Sequence, residues 1–313
     1  MEFLTKNRVI TTNQHSYLAH HSTTTNLLES LNDWTRNLDE ELDTDIIYID
    51  FASAFDSVSV PKLIHRLSFM GICDPLLSCI KSFLTNRSQR VVVGKSASSY
   101  APVISGVPQG SVLGPILFIL YVNDIPEMSA STDTSKLFAD DVKRYSLRIN
   151  SADFQSGLDR FCKWCSDWQL TIAPTKCCAV QIRRYEKRTQ NQIDFKIGSH
   201  ILPVVSEIKD LSILIDNQID FSAHIKGVAS KAKQRIYLLF KCFKSRNMSL
   251  LLKAYNSYIL PLFDYCSAVW SPTKYGDIDL LENVQRNFKE ASRHGGSILR
   301  RALIKVRPCE PRA

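Results

Sequence analysis

Asp50 closes the run Ile46-Ile47-Tyr48-Ile49, four residues of β-forming, mostly apolar type, and Phe51-Ala52-Ser53-Ala54-Phe55-Asp56 follows at once. Ninety residues after Asp50, the segment Phe138-Ala139-Asp140-Asp141 sets two adjacent acids between β-forming stretches. An ionised carboxylate at the end of an apolar strand is costly unless it is paired or bound to a metal. Two neighbouring carboxylates at a tight turn repel each other, and a divalent cation relieves that repulsion. Hard oxygen donors, completed by water and substrate phosphates, suit Mg²⁺, with Mn²⁺ as the alternative ion. Two such ions about 3.5–4 Å apart activate an attacking hydroxyl and stabilise the leaving oxygen of a phosphoryl displacement. Strand alternation sends neighbours to opposite sides, so Asp50 and Asp140 rank as the main ligands and Asp141 as secondary. Alone, an Asp-Asp pair is usually a solvated turn and a strand-terminal Asp a helix cap. The order of the acids, with Gly106-Val107-Pro108-Gln109-Gly110-Ser111-Val112-Leu113-Gly114-Pro115 between them, points to the metal site instead.

The elements that must position these acids follow from periodicity and punctuation. Leu27, Leu28, Leu31 and Trp34 form an apolar stripe at helical spacing, which predicts a helix over 24–38 capped by Ser22 or Thr23. A buried strand is expected at 46–50. Pro61 opens a helix that Gly71 ends, and a second helix fits 75–84. Residues 89–93 and 99–104 read as paired strands around 94–98. Residues 113–122 read as a buried helix, 136–139 and 142–145 as a hairpin around the paired acids, and 151–169 as a helix. Further strands are expected at 179–182 and 210–215. From His224 onward Ile225, Val228, Ala232, Ile236 and Leu239 line one helix face. The class is α+β with a helical C-terminal part.

With 313 residues, 44% apolar and 22% charged, the chain has ordinary globular composition rather than that of a disordered or collagenous one, and its length suggests two domains. The longest apolar run, 116–122, is far below the ~20 residues of a spanning helix, and no apolar leader is visible in the first ten residues. Nine cysteines without a leader read as reduced thiols inside a cell. Charge is uneven: residues 1–180 carry a net −3 and 181–313 a net +11. Between Phe221 and Phe263 lie eight basic residues and no acid, among them Lys226, Lys231, Lys233, Arg235, Lys241, Lys244, Arg246 and Lys253. Such a stretch suits a surface that faces phosphates.

The motifs together resemble the reverse transcriptase of non-LTR retrotransposons of the jockey and CR1-like kind. Residues 48–56 resemble the first catalytic motif, 106–115 the second and 138–141 the aromatic-x-Asp-Asp box. Trp168-Gln169-Leu170 with Lys176 resembles the next motif, 209–216 the primer-grip region, and 252–255, 261–272 and 283–286 the helical segments beyond it. The similarity runs over 14–288. It implies a right-hand polymerase: partial fingers over 1–45, a palm with an antiparallel sheet over 46–218 carrying a fingers insertion near 61–105, and a basic helical thumb with a divergent tail over 219–313. It implies RNA-directed DNA synthesis, by two-metal transfer of dNTPs onto a primer 3′-OH, with Mg²⁺ or Mn²⁺, an RNA template and a DNA primer or duplex as partners. The implied setting is a ribonucleoprotein in nucleus or cytoplasm.

Carried over by position, Asp50, Asp140 and Asp141 are the catalytic carboxylates and metal ligands. Phe55 matches the aromatic gate that collides with a ribose 2′-OH. Gln109 and Gly110 match the turn near the nascent base pair, and Lys176 a lysine that assists the leaving pyrophosphate. Lys226, Lys231, Lys233 and Arg235 fit a thumb that grips duplex phosphates. The family's further fingers motifs lie upstream of this sequence. Leu18 stands where relatives carry Arg, Ala173 where Asn is usual, Ser212 where Gly is usual and Val142 where Thr is common. These departures keep a second reading open, a catalytically degenerate nucleic-acid-binding remnant. Cys162, Cys165, Cys177 and Cys178 lack zinc-ligand spacing and read as buried thiols. The basic run 183–188 reads as a solvated loop.

Overall fold

The computed structural model describes residues 4, 6–7, 9–129, 133–183, 194–243 and 247–292. The chain forms two compact units, Met1–Leu211 and Ser212–Ala313.

The first unit is built on a five-stranded sheet, ordered Val204–Val205, Cys178–Ile182, Thr44–Ile49, Asp141–Leu147 and Asp133–Phe138. All neighbours are antiparallel except Val204–Val205, which runs parallel to Cys178–Ile182. Thr44–Ile49 is the middle strand; Ile46 and Ile47, which point to opposite faces, are both fully buried, so both faces are covered and the run is apolar rather than alternating. Helix Thr23–Asp39 starts at Ser22, whose side chain accepts the Thr25 N–H while Thr25 Oγ1 accepts the Ser22 N–H. Its Trp34 meets Tyr145 of the sheet edge to face, 5.7 Å between ring centroids. Helix Ser151–Asp167 buries Phe154, Leu158, Phe161, Trp164 and Cys165, and helix Leu113–Tyr121 is buried continuously from Leu117 to Tyr121. Helices Val60–Phe69 and Leu76–Leu84 complete this unit's helical packing.

Two expectations are corrected. The strands expected at 89–93 and 99–104 split into two short ladders, Arg87–Gln89 with Ala101–Val103 and Val92–Val93 with Ser96–Ala97, because the hairpin lies open to solvent with neither face buried to hold one long register. The strand expected at 210–215 is interrupted: Leu211 and Ser212 take φ of 44° and 72°, which separates Glu207–Asp210 from Ile213–Asp216. The run of residue types was right for strands, but two left-handed residues cannot lie inside one.

The second unit is helical. Ser222–Cys242 buries Ile225, Val228, Ala229, Ala232, Ile236 and Leu239, the face expected from spacing. It packs with Met248–Tyr258 and Tyr275–Ser292 around Phe288, whose ring lies 4.5 Å from that of Tyr255 and 5.7 Å from that of Phe240. Lys244, Arg246, residues 184–188 and the tail after 292 lie outside the described residues.

Candidate active site

Sheet register brings the acids together. Ile49 pairs with Val142 and Phe138 with Asp141, so one further step along the antiparallel ladder sets Asp50 beside Asp141. Residues opposite each other on such a ladder are about 4.5–5.5 Å apart at Cα and share a face. Tyr48 and Lys143 are the next pair on that face. Asp140 sits in the two-residue turn with Ala139, whose φ is 57°. Burial, and then the nearness of Asp50, push the Asp140 carboxyl up. Asp141 keeps solvent contact, yet burial by the surrounding protein and then Asp140, Asp210 and Asp50 push it up to about 6. The three carboxylates thus feel one another. Lys176 supplies a nearby cation, with Nζ 3.3 Å from Asp50 Oδ1.

The main chain of Asp50 is held from the segment after the long helix. Ala173 N–H donates to Asp50 O at 2.8 Å, Ala52 N–H to Thr171 O at 2.8 Å, and the Asp50 N–H meets Cys177 Sγ at 3.4 Å. This is what brings Lys176 to the acids. Burial pushes the Cys162 and Cys178 thiols up to about 11 and raises those of Cys165 and Cys177.

A cavity of about 150 Å³ opens on this face, lined by Asp50, Asp141, Tyr48, Lys143, Lys176 and Asp210 among others. Asp141 rather than Asp140 lines it. The turn makes the difference, since it leaves Asp140 between strands while Asp141 is the first residue of its strand. Lys143, Asp210 and Tyr48 were not among the site residues expected from the sequence. Lys143 Nζ lies 2.7 Å from Asp210 Oδ2, the Tyr48 hydroxyl donates to the same oxygen at 3.2 Å, and Lys143 and Asp210 are buried. The available signal was Lys143-Arg144, two consecutive cations inside a strand with covered faces, where each needs a buried partner. Arg144 finds its own in Asp133, 2.5 Å away.

The second group of site residues is tied to Asp56. Gln109 Nε2 donates to Asp56 Oδ1 at 2.8 Å, Val107 N–H to Phe55 O at 3.0 Å and Gly106 N–H to Val58 O at 2.8 Å. Gly106 has φ 82°, and a Cβ there would sit 2.8 Å from Asp56 Cα, so only glycine allows this approach. Gly110, φ 76°, is exposed with open space about it. Phe55 is half-buried and stacks on Phe118, centroids 4.1 Å apart and planes 16° from parallel. A groove of about 620 Å³ borders Asp56, Arg87, Gly106 and Gln109.

In the second unit Lys226, Lys231, Lys233 and Arg235 are all exposed on the long helix. At 100° per residue they form two pairs rather than one stripe: Lys226 with Lys233, and Lys231 with Arg235. Arg235 Nη1 also donates to Tyr258 O at 2.6 Å.

The family model described as Reverse transcriptase (RNA-dependent DNA polymerase) matches residues 1–201. The chain belongs to the reverse transcriptase family. It is 29% identical over 231 residues to the RNA-directed DNA polymerase from mobile element jockey of Drosophila melanogaster, covering 70% of this chain and 25% of that protein. It is 27% identical over 301 residues to the probable RNA-directed DNA polymerase from transposon BS of the same species, covering 90% of this chain and 33% of the relative. These relatives match the non-LTR class that the motifs resemble, and the chain spans a quarter to a third of their length. Among solved structures, apo telomerase from Candida Tropicalis aligns with a TM-score of 0.51 at 12% identity, over 95% of this chain and 55% of that one. That likeness shows the right-hand polymerase fold. Among the described residues, no helix is long and apolar enough to cross a membrane.

Proposed function

We propose that this reverse transcriptase chain performs RNA-directed DNA synthesis, adding dNTPs to a primer 3′-OH, with Asp50, Asp140 and Asp141 as its catalytic carboxylates. The observation that carries the reading is that the Ile49–Val142 pairing leaves Asp50 and Asp141 at adjoining strand ends, where both line one cavity. The donor set is all oxygen, in mutual electrostatic contact, with raised carboxyls at Asp140 and Asp141. Among the described residues no three His, Cys, Asp or Glu side chains enclose a cation by themselves. That arrangement fits Mg²⁺, which takes one or two carboxylates and completes its shell with water and substrate phosphates. When bound there, divalent cations lower the pKa of the attacking hydroxyl and neutralise charge on the phosphate.

The chain's own residues supply the rest. Asp50, Asp140 and Asp141 orient the reacting groups. Lys176, exposed beside Asp50, is placed to neutralise a leaving pyrophosphate. The Phe55 ring, backed by Phe118, is a wall against a 2′-OH. Gln109 and Gly110 present an amide and an unobstructed backbone to the nascent base pair. Lys226, Lys231, Lys233 and Arg235 hold phosphates of the primer–template duplex. In this reading residues 1–45 are partial fingers, 46–218 the palm with its insertion near 61–105, and 219–313 the thumb and tail. The chain works in nucleus or cytoplasm with its RNA. Primer extension on an RNA template with Mg²⁺ or Mn²⁺ tests the proposal. Incorporation by the wild type that falls by about three orders of magnitude or more in Asp50→Asn and Asp141→Asn supports it. Duplex binding without incorporation under any cation would establish the non-catalytic remnant instead.

A further inference from the structure

The Ala139–Asp140 turn carries one of the three acids, leads directly into a second, Asp141, and holds an alanine at φ 57°, a conformation that costs an L residue about 1 kcal/mol. Its support comes from the far end of the chain. The Ala139 N–H donates to Gln14 Oε1 at 3.1 Å. The same oxygen accepts from Ser16 N–H at 3.0 Å and Ser16 Oγ at 2.9 Å. Two main-chain N–H groups aim at this atom, so it is the carbonyl oxygen and not the amide nitrogen. Gln14 is 1% exposed.

Main-chain pairing delivers Gln14 to this place. Leu137 N–H donates to Asn13 O at 2.9 Å, His15 N–H to Leu137 O at 3.0 Å, and Gln14 bridges Leu137 in parallel. Residues 13–15 therefore continue the sheet beyond Asp133–Phe138. His15 is fixed in turn by Thr25 Oγ1 at 2.9 Å, and Asn26 Nδ2 reaches Leu137 O at 3.1 Å.

We infer that Gln14 is a positioning residue for the catalytic turn, its side-chain carbonyl holding Ala139 so that Asp140 and Asp141 project at the required angle. This rests on the polymerase reading above. Gln14 lines neither the carboxylate cavity nor the Gln109 groove, so it acts only through the turn. An ångström of misplacement at reacting groups costs about a hundredfold in rate, so a hydrogen bond this close to both acids has leverage on turnover.

The test uses Gln14→Met, similar in size but without an acceptor, and Gln14→Glu, which keeps one. Two readouts are taken on the full chain: amide hydrogen exchange across 137–141, and steady-state primer extension with dNTP and Mg²⁺. For Gln14→Met we expect at least tenfold faster exchange at Ala139 with the rest of the sheet unchanged. We expect kcat to fall about tenfold to a hundredfold while the dNTP KM moves less than about threefold. Gln14→Glu should restore protection at Ala139. Unchanged exchange, or faster exchange with a wild-type kcat, would overturn the inference. So would faster exchange throughout the sheet, which marks a merely structural role. If the wild type extends no primer with any cation, the polymerase reading fails first, and the Gln14 contact then stands or falls on exchange alone.

Discussion

Phe55 and Phe118 form one stacked pair, half at the surface and half in the core, and the pair lets steric exclusion be tested at a single ring. If Phe55 is the proposed wall against a 2′-OH, shortening it to Ala should raise ribonucleotide incorporation relative to dNTP about tenfold or more. Competition between rNTP and dNTP in primer extension measures it, and an unchanged ratio removes the gate assignment. Asp45 allows an electrostatic test away from the acids. It is fully buried; Arg148 Nη1 lies 3.3 Å from its Oδ1, while its Oδ2 has no hydrogen-bond partner. Burial pushes the carboxyl up to about 6, against the opposing pull of Arg148 and Arg183. A carboxyl raised above its unfolded value of about 4 binds its proton more tightly in the folded state. The penalty is absent below about pH 4 and grows as pH rises through the folded value. Asp45→Asn keeps an oxygen for Arg148 and removes the charge. It should therefore be more stable than wild type at pH 7, by on the order of 2 kcal/mol, with the gap closing towards pH 4. Urea midpoints across that range decide it, and a wild type that is the more stable at pH 7 contradicts it.

The central strand and the hairpin that follows helix Leu113–Tyr121 bring the acids together, with Asp140 in the hairpin's own turn. Lys143 and Asp210 join the hairpin to strand Glu207–Asp210 through one buried ion pair with Tyr48 on the same oxygen. Lys143→Ala leaves Asp210 buried and unpaired, and should cost about 3–5 kcal/mol. Replacing both residues by apolar ones of similar volume should cost much less. A double-mutant cycle in denaturant reads the coupling, and additive losses would show that the pair is not the link. At this scale the sequence was legible wherever one period dominated. The stripes of Thr23–Asp39, Ser151–Asp167 and Ser222–Cys242 appear where spacing placed them, except that Leu28 of the first is exposed, because a helix buries one face whatever its neighbours are. Residues 210–215 were misread because nothing in the residue types Leu211-Ser212 announces two left-handed residues. Gln14 and Lys143 were invisible for a related reason. Their partners, Ala139 and Asp210, lie 125 and 67 residues away, and only the folded sheet makes them neighbours.

Over the whole chain charge is divided, with net −3 in residues 1–180 and net +11 beyond them. The acids that would hold cations fall in the first part and the exposed basic helix in the second. If the two pairs Lys226/Lys233 and Lys231/Arg235 contact duplex phosphates, each contact adds about 0.9 to the slope of log affinity against log salt. Replacing all four by Ala should flatten that slope by up to about four units and weaken binding to every duplex sequence alike, as fluorescence anisotropy at several salt concentrations will show. A slope that does not change assigns the helix face to solvent. The account depends most on cation binding between two strands of one sheet. The direct measurement is a crystal structure of the chain with Mn²⁺, a primer–template and a non-hydrolysable dNTP, with manganese located by its anomalous signal. Two peaks are expected about 3.5–4 Å apart, both within coordination distance of Asp50 and of the adjacent acids Asp140 and Asp141. Manganese bound elsewhere, or at the triphosphate alone with no protein carboxylate in its shell, would contradict it.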